Sequence, residues 1–170
     1  MPNEVIKEVA RIQEQLKKKL QFIGKTTELE NLHLTLKFLG KISEESLTKI
    51  KEKLTEVSFK PLKLKLGHVG AFSYKGQLKI IWIKILGKEI FNLQKQIDES
   101  LQELFPKEER FMSHLTIARI KYVKDTTHAK KYINHLKPKS LAWIENKIQL
   151  KESTLNSQDP NYKTLEEYSA

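Results

Sequence analysis

Two short stretches with the same tripeptide decide how this chain folds: HLTLKFLG at residues 33–40 and HLTIARI at residues 114–120. The tripeptides lie 81 residues apart. The first half of the chain, about residues 1–70, reads helix, HLT strand, helix, strand. The second half, about residues 78–152, reads strand, helix, HLT strand, helix, strand. Self-similarity at a fixed spacing indicates a duplicated unit.

The duplication predicts an α+β fold and a single bilobal domain over residues 1–170. We expect two lobes related by pseudo-twofold symmetry, with two mainly antiparallel sheets flanked by helices around a central cleft. The tail at residues 153–170 lies outside the repeat. The second half opens with a strand and the first half opens directly on its helix, so we also expect the first N-terminal strand to be missing and the first lobe to have one strand fewer.

The elements behind this reading come from hydrophobic periodicity and from turn residues. Apolar residues at helical spacing predict helices at residues 3–20, 43–57, 88–105 and 126–136. Alternating or continuous apolar residues predict strands at residues 31–39, 61–69, 78–86, 111–120 and 143–150, with an edge strand at 162–168. Glycines flank a predicted loop at residues 70–77.

Composition restricts the class of protein and its partners. The 170 residues carry a net charge of +10, from 31 Lys and Arg against 21 Asp and Glu. This excess favours a polyanionic partner, but a lysine-rich surface can equally serve only to keep a protein soluble, so the charge alone names no partner. The absence of cysteine excludes disulfides, thiolate zinc sites and cysteine nucleophiles. The sequence has neither an apolar span for a membrane nor the apolar core of a signal peptide, so we expect a cytoplasmic protein.

The residues of the two tripeptides suit phosphoryl transfer without a metal. Residues i and i+2 share a face of a strand, so His33 pairs with Thr35 and His114 with Thr116. Of two imidazoles flanking a phosphate, a neutral one can take a proton from water while a charged one protonates the leaving oxygen. Each threonine hydroxyl can donate a hydrogen bond to a non-bridging phosphate oxygen.

These motifs resemble the paired signatures of the 2H phosphoesterase superfamily, and more narrowly the RNA 2′,3′-cyclic phosphodiesterases, also called 2′-5′ RNA ligases. The resemblance covers nearly the whole chain, including the apolar strand with Trp82 and the C-terminal run at residues 148–155. It implies opening of 2′,3′-cyclic phosphate ends of RNA, such as tRNA fragments, to 2′-phosphates. It also implies His33 as proton donor and His114 as proton acceptor. Members of this family usually begin with a short apolar strand, which is the strand that the repeat lacks here.

Further residues are candidates for RNA contacts. Lys37 shares the face of His33, and Arg119 could return to the face of His114 through a twist or bulge, although strict alternation turns it away. Phe72 and Tyr74 could stack on a base, with core packing favoured for Phe72.

The remaining histidines do not predict a metal site. His68 has no threonine partner, so we expect it to be structural, and we expect His128 and His135 to lie at the surface without a third ligand. We therefore expect no metal or cofactor. We also expect no use of ATP, because the sequence has no Gly-rich loop that could bind a nucleotide triphosphate. We expect a monomer. The alternatives are an ATP-independent 2′-5′ RNA ligase that runs the reaction backwards and, in a different class, a non-catalytic module that binds RNA ends.

Overall fold

The structure is a computed structural model in which residues 1–155 and 160–170 are described. The helices are α1 (Asn3–Lys19), α2 (Glu44–Thr55), α3 (Glu89–Ser100) and α4 (Thr126–His135), with a short 3-10 helix at Leu29–Asn31. The strands are β1 (Phe22–Thr26), β2 (Leu62–Tyr74), β3 (Gln77–Leu86), β4 (His114–Val123), β5 (Ala142–Glu145), β6 (Lys147–Leu155) and β7 (Pro160–Ser169). The α+β prediction is confirmed.

The chain forms two compact units, and each takes segments from both sequence halves. The first comprises Met1–Leu34, Leu64–Leu86 and Ser113–Trp143. The second comprises Thr35–Lys63, Gly87–Met112 and Ile144–Ala170. The units are therefore not the two halves of the repeat taken one after the other.

A five-stranded sheet with the order β1-β4-β3-β2-β5 is the centre of the first unit. The register is antiparallel between β1 and β4, β4 and β3, and β3 and β2. Helix α1 has its apolar residues at helical spacing, and Val9, Ile12 and Leu16 are fully buried. This apolar stripe packs α1 into the core of the first unit. That unit contains His33 and Leu34 of the first HLT tripeptide and the whole of the second.

Helices α2 and α3 and the antiparallel pair β6-β7 form the second unit. Helix α2 begins after Ser43, whose Oγ accepts a hydrogen bond from the backbone N–H of Ser46. Ser43 is therefore the N-cap of α2. The edge strand predicted at residues 162–168 is also confirmed, as part of β7.

The strand predicted at residues 31–39 is wrong. The chain makes a 3-10 turn that ends at Asn31, pairs with β4 at Leu34 alone, and bends at Leu36. Lys37 then bonds to Asp98 and to the carbonyl of Pro106 within the second unit. The pairing with β4 thus ends where the chain passes into the second unit.

The loop predicted at residues 70–77 is wrong as well. Strands β2 and β3 continue through it and are joined by the two residues Lys75 and Gly76, with φ of 48° and 79°. Positive φ at both positions is typical of a tight hairpin turn with the twist of the flanking strands. Gly70 therefore lies within a strand, where it is needed for packing.

Three further elements differ from the sequence prediction. Strand β1 was not predicted, because FIGKT is short and has mostly exposed residues. The strand predicted at residues 143–150 is two strands, one in each sheet, and α3 ends at Ser100 rather than near residue 105. Within residues 1–155 and 160–170, the sheet of the first unit has five strands and that of the second has two. Because these units do not coincide with the halves of the repeat, the missing first strand stays a prediction.

Candidate active site

A single antiparallel bridge between Leu34 and Leu115 brings the two HLT tripeptides together. In an antiparallel pair, the residue before one bridge partner lies opposite the residue after the other, so His33 lies opposite Thr116. His114 is the diagonal neighbour of His33 on the same face, and diagonal neighbours lie about 7–8 Å apart. The two imidazoles and one threonine hydroxyl therefore share one face of the first unit.

The leucine of the second tripeptide points into the protein. Leu115 is fully buried, whereas His114 and Thr116 on either side of it are half-buried. His33 is also half-buried. Burial of the leucine anchors the strand and keeps the polar side chains of the tripeptide on the opposite face.

The imidazole of His33 is oriented by the backbone of the preceding 3-10 helix. Its Nδ1 donates a hydrogen bond to the carbonyl oxygen of Asn31 at 2.7 Å. A carbonyl oxygen can only accept, so Nδ1 carries a proton and Nε2 is the nitrogen left to interact with a substrate. This contact fixes the tautomer that proton transfer through Nε2 requires.

Aromatic rings surround His114. The ring of Phe72 contacts it edge to face at a centroid distance of 5.3 Å, and Trp82 lies at 6.4 Å. The rings of Phe72 and Trp82 are 5.4 Å apart, and His68 lies 5.5 Å from Trp82. These contacts restrict the orientation of the imidazole.

Gly70 makes room for this aromatic cluster. A Cβ at position 70 would lie 2.3 Å from the nearest ring carbon of Trp82. The indole therefore packs directly on the backbone of β2, with 8% of Trp82 exposed. Any side chain at this position would displace Trp82 and, through it, the neighbours of His114.

A bulge in β4 returns Arg119 to the face of His114. Thr116 pairs with Trp82 and Ala118 pairs with Ile81, so Ile117 has no partner in β3. Ile117 and Ala118 are both fully buried, and Arg119 is exposed. The extra residue shifts the alternation of side chains in β4 by one. Arg119 therefore lies on the face of His114, as the sequence allows if the strand contains a bulge.

Two residues of the first tripeptide region belong to the second unit. Thr35 follows Leu34 directly and is half-buried, and its contact with phosphate stays a prediction. The side chain of Lys37 is only 6% exposed and its ammonium donates hydrogen bonds to Asp98 and to the carbonyl of Pro106. The ammonium of Lys37 is therefore buried and is not available for the RNA contact that was predicted for this residue.

The other candidate residues have surface positions. Phe72 is exposed rather than packed in the core, and Tyr74 is exposed beside the hairpin turn with the ammonium of Lys75 5.5 Å from its ring. His68, His128 and His135 are also exposed. Within residues 1–155 and 160–170, no group of three or more His, Asp or Glu side chains is placed to hold a metal ion. No helix in this part of the chain combines the length and the apolar composition that a membrane crossing requires.

Sequence reasoning missed two residues that support the site. Asn31 orients His33 through its backbone carbonyl, which no side-chain pattern can reveal. Gln13 is a buried polar residue on α1, and its amide donates to the carbonyl oxygens of Thr27 at 2.7 Å and Ile117 at 3.0 Å. For Gln13, the available signal was a glutamine directly after Ile12, within the apolar stripe of α1.

Relatives of known sequence cover nearly the whole chain. It is 37% identical over 171 residues to an RNA 2′,3′-cyclic phosphodiesterase of Methanocaldococcus jannaschii, a match that covers 99% of this chain and 95% of the relative. An RNA 2′,3′-cyclic phosphodiesterase of Aquifex aeolicus is 32% identical over 176 residues, covering 95% of this chain and 91% of the relative.

Solved structures share the fold at lower sequence identity. A crystal structure of a Thermus thermophilus protein superposes with a TM-score of 0.82 at 24% identity, covering 99% of this chain and 93% of the other. Escherichia coli LigT complexed with 3′-AMP superposes with a TM-score of 0.80 at 17% identity, covering 99% and 92%.

The model of the LigT like phosphoesterases matches residues 1–82 and 84–162. Each matched stretch contains one HLT tripeptide. Together with the two full-length relatives, this match shows that the chain belongs to the LigT-like phosphoesterase family.

Proposed function

We propose that this protein is an RNA 2′,3′-cyclic phosphodiesterase that opens cyclic phosphate ends to 2′-phosphate ends. The observation that carries the proposal is the bridge between Leu34 and Leu115, because it places His33, His114 and Thr116 on one face. The substrate class comes from the curated relatives, which are named RNA 2′,3′-cyclic phosphodiesterases. The net charge of +10 suits a polyanionic substrate.

The reaction needs one neutral and one protonated imidazole. His114 takes a proton from a water molecule as the water oxygen attacks phosphorus. His33 gives the proton on its Nε2 to the 3′ oxygen as the bond from phosphorus to that oxygen breaks. The products are a 3′-hydroxyl and a 2′-phosphate, and exchange of protons with solvent restores the starting states of both rings.

Other polar groups act on the charge that develops at the phosphate. The hydroxyl of Thr116 lies on the face of the histidines and donates to a non-bridging oxygen, and Thr35 is proposed to do the same. The exposed guanidinium of Arg119 returns to this face and offsets the negative charge. The backbone carbonyl of Asn31 accepts a hydrogen bond from Nδ1 of His33, which leaves Nε2 to donate its proton to the leaving oxygen.

Product analysis tests the proposal directly. An RNA oligonucleotide with a 2′,3′-cyclic phosphate end should be converted to the 2′-phosphate, which ³¹P NMR distinguishes from the 3′-phosphate. An unchanged cyclic end would contradict enzymatic function and support a module that only binds RNA ends, and a 3′-phosphate product would contradict the direction of bond cleavage proposed for His33.

The reverse reaction is tested in the same assay. Addition of a second RNA with a 5′-hydroxyl end would give a longer RNA with a 2′-5′ linkage if the protein acts as a ligase. We expect hydrolysis to dominate, because water is in large excess over RNA ends. Accumulation of the joined RNA as the main product would overturn this assignment.

A further inference from the structure

Lys84 on β3 lies beside the proposed proton acceptor. In the register of β3 and β4, Lys84 is directly opposite His114, and Ile83 is opposite Leu115. Directly opposite residues of an antiparallel pair have their Cβ atoms about 4.5–5.5 Å apart, on the same face of the sheet. Lys84 is therefore the cross-strand neighbour of His114 on β3, and neither the proton transfers nor the phosphate contacts proposed above use it.

The burial pattern of β3 shows which face Lys84 occupies. Ile83 and Ile85, on either side of it, are fully buried, whereas Lys84 itself is half-buried. Trp82, two residues earlier, contacts the ring of His114. Because alternate residues of a strand share a face, Lys84 lies on the face that carries Trp82 and His114 and not on the face that packs in the core.

Gly67 on β2 makes room for the side chain of Lys84. A Cβ at position 67 would lie 3.1 Å from the Cβ of Lys84, which is closer than ordinary van der Waals contact. Gly70 accommodates Trp82 in the same way on the same strand. The two glycines thus leave space for two side chains of β3, and the first carbons of Lys84 lie between the backbone of β2 and His114.

The reaction develops negative charge at this position. A cyclic phosphate diester carries one negative charge. Attack by water, with a proton of the water passing to His114, adds a second charge that is shared by the non-bridging oxygens of phosphorus. A cation beside the proton acceptor stabilises this doubly charged transition state more than the singly charged substrate.

We propose that Lys84 is a further catalytic residue, whose ammonium donates a hydrogen bond to a non-bridging oxygen of the phosphate held at His114. The ammonium keeps its three protons throughout, so the proton transfers assigned to His33 and His114 are unchanged. The inference rests on the proposed function and adds to it the group that stabilises the second negative charge.

Kinetics on a nucleoside 2′,3′-cyclic phosphate test this role. Lys84→Met removes the charge and keeps the length of the side chain, and Lys84→Gln is a second neutral variant. Lys84→Arg restores a cation. The control is Lys79→Met, which makes the same change of charge on the same strand, at a half-buried lysine that donates to the carbonyl oxygen of Lys121.

We expect both neutral variants to lower kcat by about 10²-fold with a much smaller change in KM, because the contact strengthens in the transition state. Lys84→Arg should recover most of the loss, and Lys79→Met should keep normal kinetics. Melting temperatures check that every variant is folded. A normal kcat in the neutral variants, a loss confined to KM, or a loss that Lys84→Arg shares in full would overturn the proposal.

Binding of the product separates Lys84 from the catalytic proposal. The phosphate of a nucleoside 2′-phosphate is close to doubly charged at about pH 7.5. Isothermal titration calorimetry should give an affinity for it about 10-fold lower in Lys84→Met than in the wild type, and an unchanged affinity in Lys79→Met. A wild type that shows this difference and never opens a cyclic phosphate would reject the proposed function and leave the phosphate contact of Lys84 standing. Equal affinities in the wild type and Lys84→Met would reject that contact.

Discussion

Gln13 on α1 donates a hydrogen bond to the carbonyl oxygen of Ile117, the residue at which β4 bulges. The same carbonyl accepts a hydrogen bond from the backbone N–H of Thr27. The bulge changes the alternation of β4, so Arg119 lies on the face of His114 instead of the opposite one. A buried amide on a helix thus supports the placement of a charged side chain at the site.

Replacement of Gln13 by leucine should therefore affect both stability and activity. Removing the amide leaves the carbonyl of Thr27 without this donor, which we expect to lower the free energy of unfolding by about 1–3 kcal/mol. The kcat/KM for cyclic phosphate ends should fall as well, because the bulge that orients Arg119 loses support. Urea unfolding and steady-state kinetics measure the two effects, and Gln15→Leu on the half-buried side of the same helix is the control. Equal losses in the two variants would show that the bulge does not depend on Gln13.

Alanine substitution of either histidine should abolish most turnover. We expect His33→Ala and His114→Ala each to reduce kcat at least 10²-fold, the usual effect of losing a general acid or base. RNA binding should change far less, because lysines dominate it. His128→Ala, at an exposed position on α4, is the matched control and should keep normal turnover. Near-normal kcat in either site variant would contradict the paired-histidine mechanism.

Activity should persist in excess EDTA and depend on pH as a bell. The bell follows from the requirement for one neutral and one charged imidazole, and its two limbs belong to the pair rather than to single residues. Initial rates across a range of buffers at constant ionic strength measure the profile. Loss of activity on chelation, with recovery on addition of a divalent ion, would contradict the metal-independent mechanism.

Gly70→Ala should disturb His114 without changing any group that reacts. The new Cβ would lie 2.3 Å from the nearest Trp82 ring carbon, and displacement of the ring in a packed region costs about 1–3 kcal/mol. We expect reduced thermal stability and a reduced kcat, since Trp82 and Phe72 restrict the imidazole. Gly40→Ala, where the added Cβ would have no neighbour within 4 Å, tests the alternative that any glycine substitution has this effect, although its φ of 69° adds local strain of its own.

The buried carboxylate of Asp98 should make stability depend on acidic pH. Burial would raise its pKa, but hydrogen bonds from Lys37, Gln94 and the backbone N–H of Glu108 outweigh burial and hold the pKa below the ordinary value of 3.8. A lowered pKa in the folded state means that the stabilising contribution is fully present above about pH 4 and is lost as pH falls through the folded-state pKa. Chemical unfolding at pH 3 to 7 measures this loss.

The Asp98→Asn variant is the control for that pH dependence. It should lack the contribution of the carboxylate at every pH and be less stable at pH 7 by about 3–5 kcal/mol, because Lys37 would remain buried without its partner. If the free energies of unfolding of the wild type and of Asp98→Asn changed with pH in parallel, the acid sensitivity would come from other carboxylates.

The sequence by itself determined the fold class, the presence of the four helices and the two tripeptides, because periodicity is a local property that apolar spacing reports directly. The end of α3 differs from the prediction by five residues. The sequence did not determine what brings the tripeptides together. The predicted strand at residues 31–39 is a single bridge at Leu34, since the hydrogen bonds of Lys37 belong to a different unit from those of His33.

Only the tertiary structure decided which neighbours surround the histidines. The bulge at Ile117 depends on an amide from α1, far away in sequence, and the close approach of Trp82 to Gly70 depends on strand register. Lys37 and Arg119 were comparable candidates in the sequence, yet one is buried against Asp98 and the other is exposed on the face of His114. Long-range pairing sets these positions, and no local pattern records the residues with which a segment will pair.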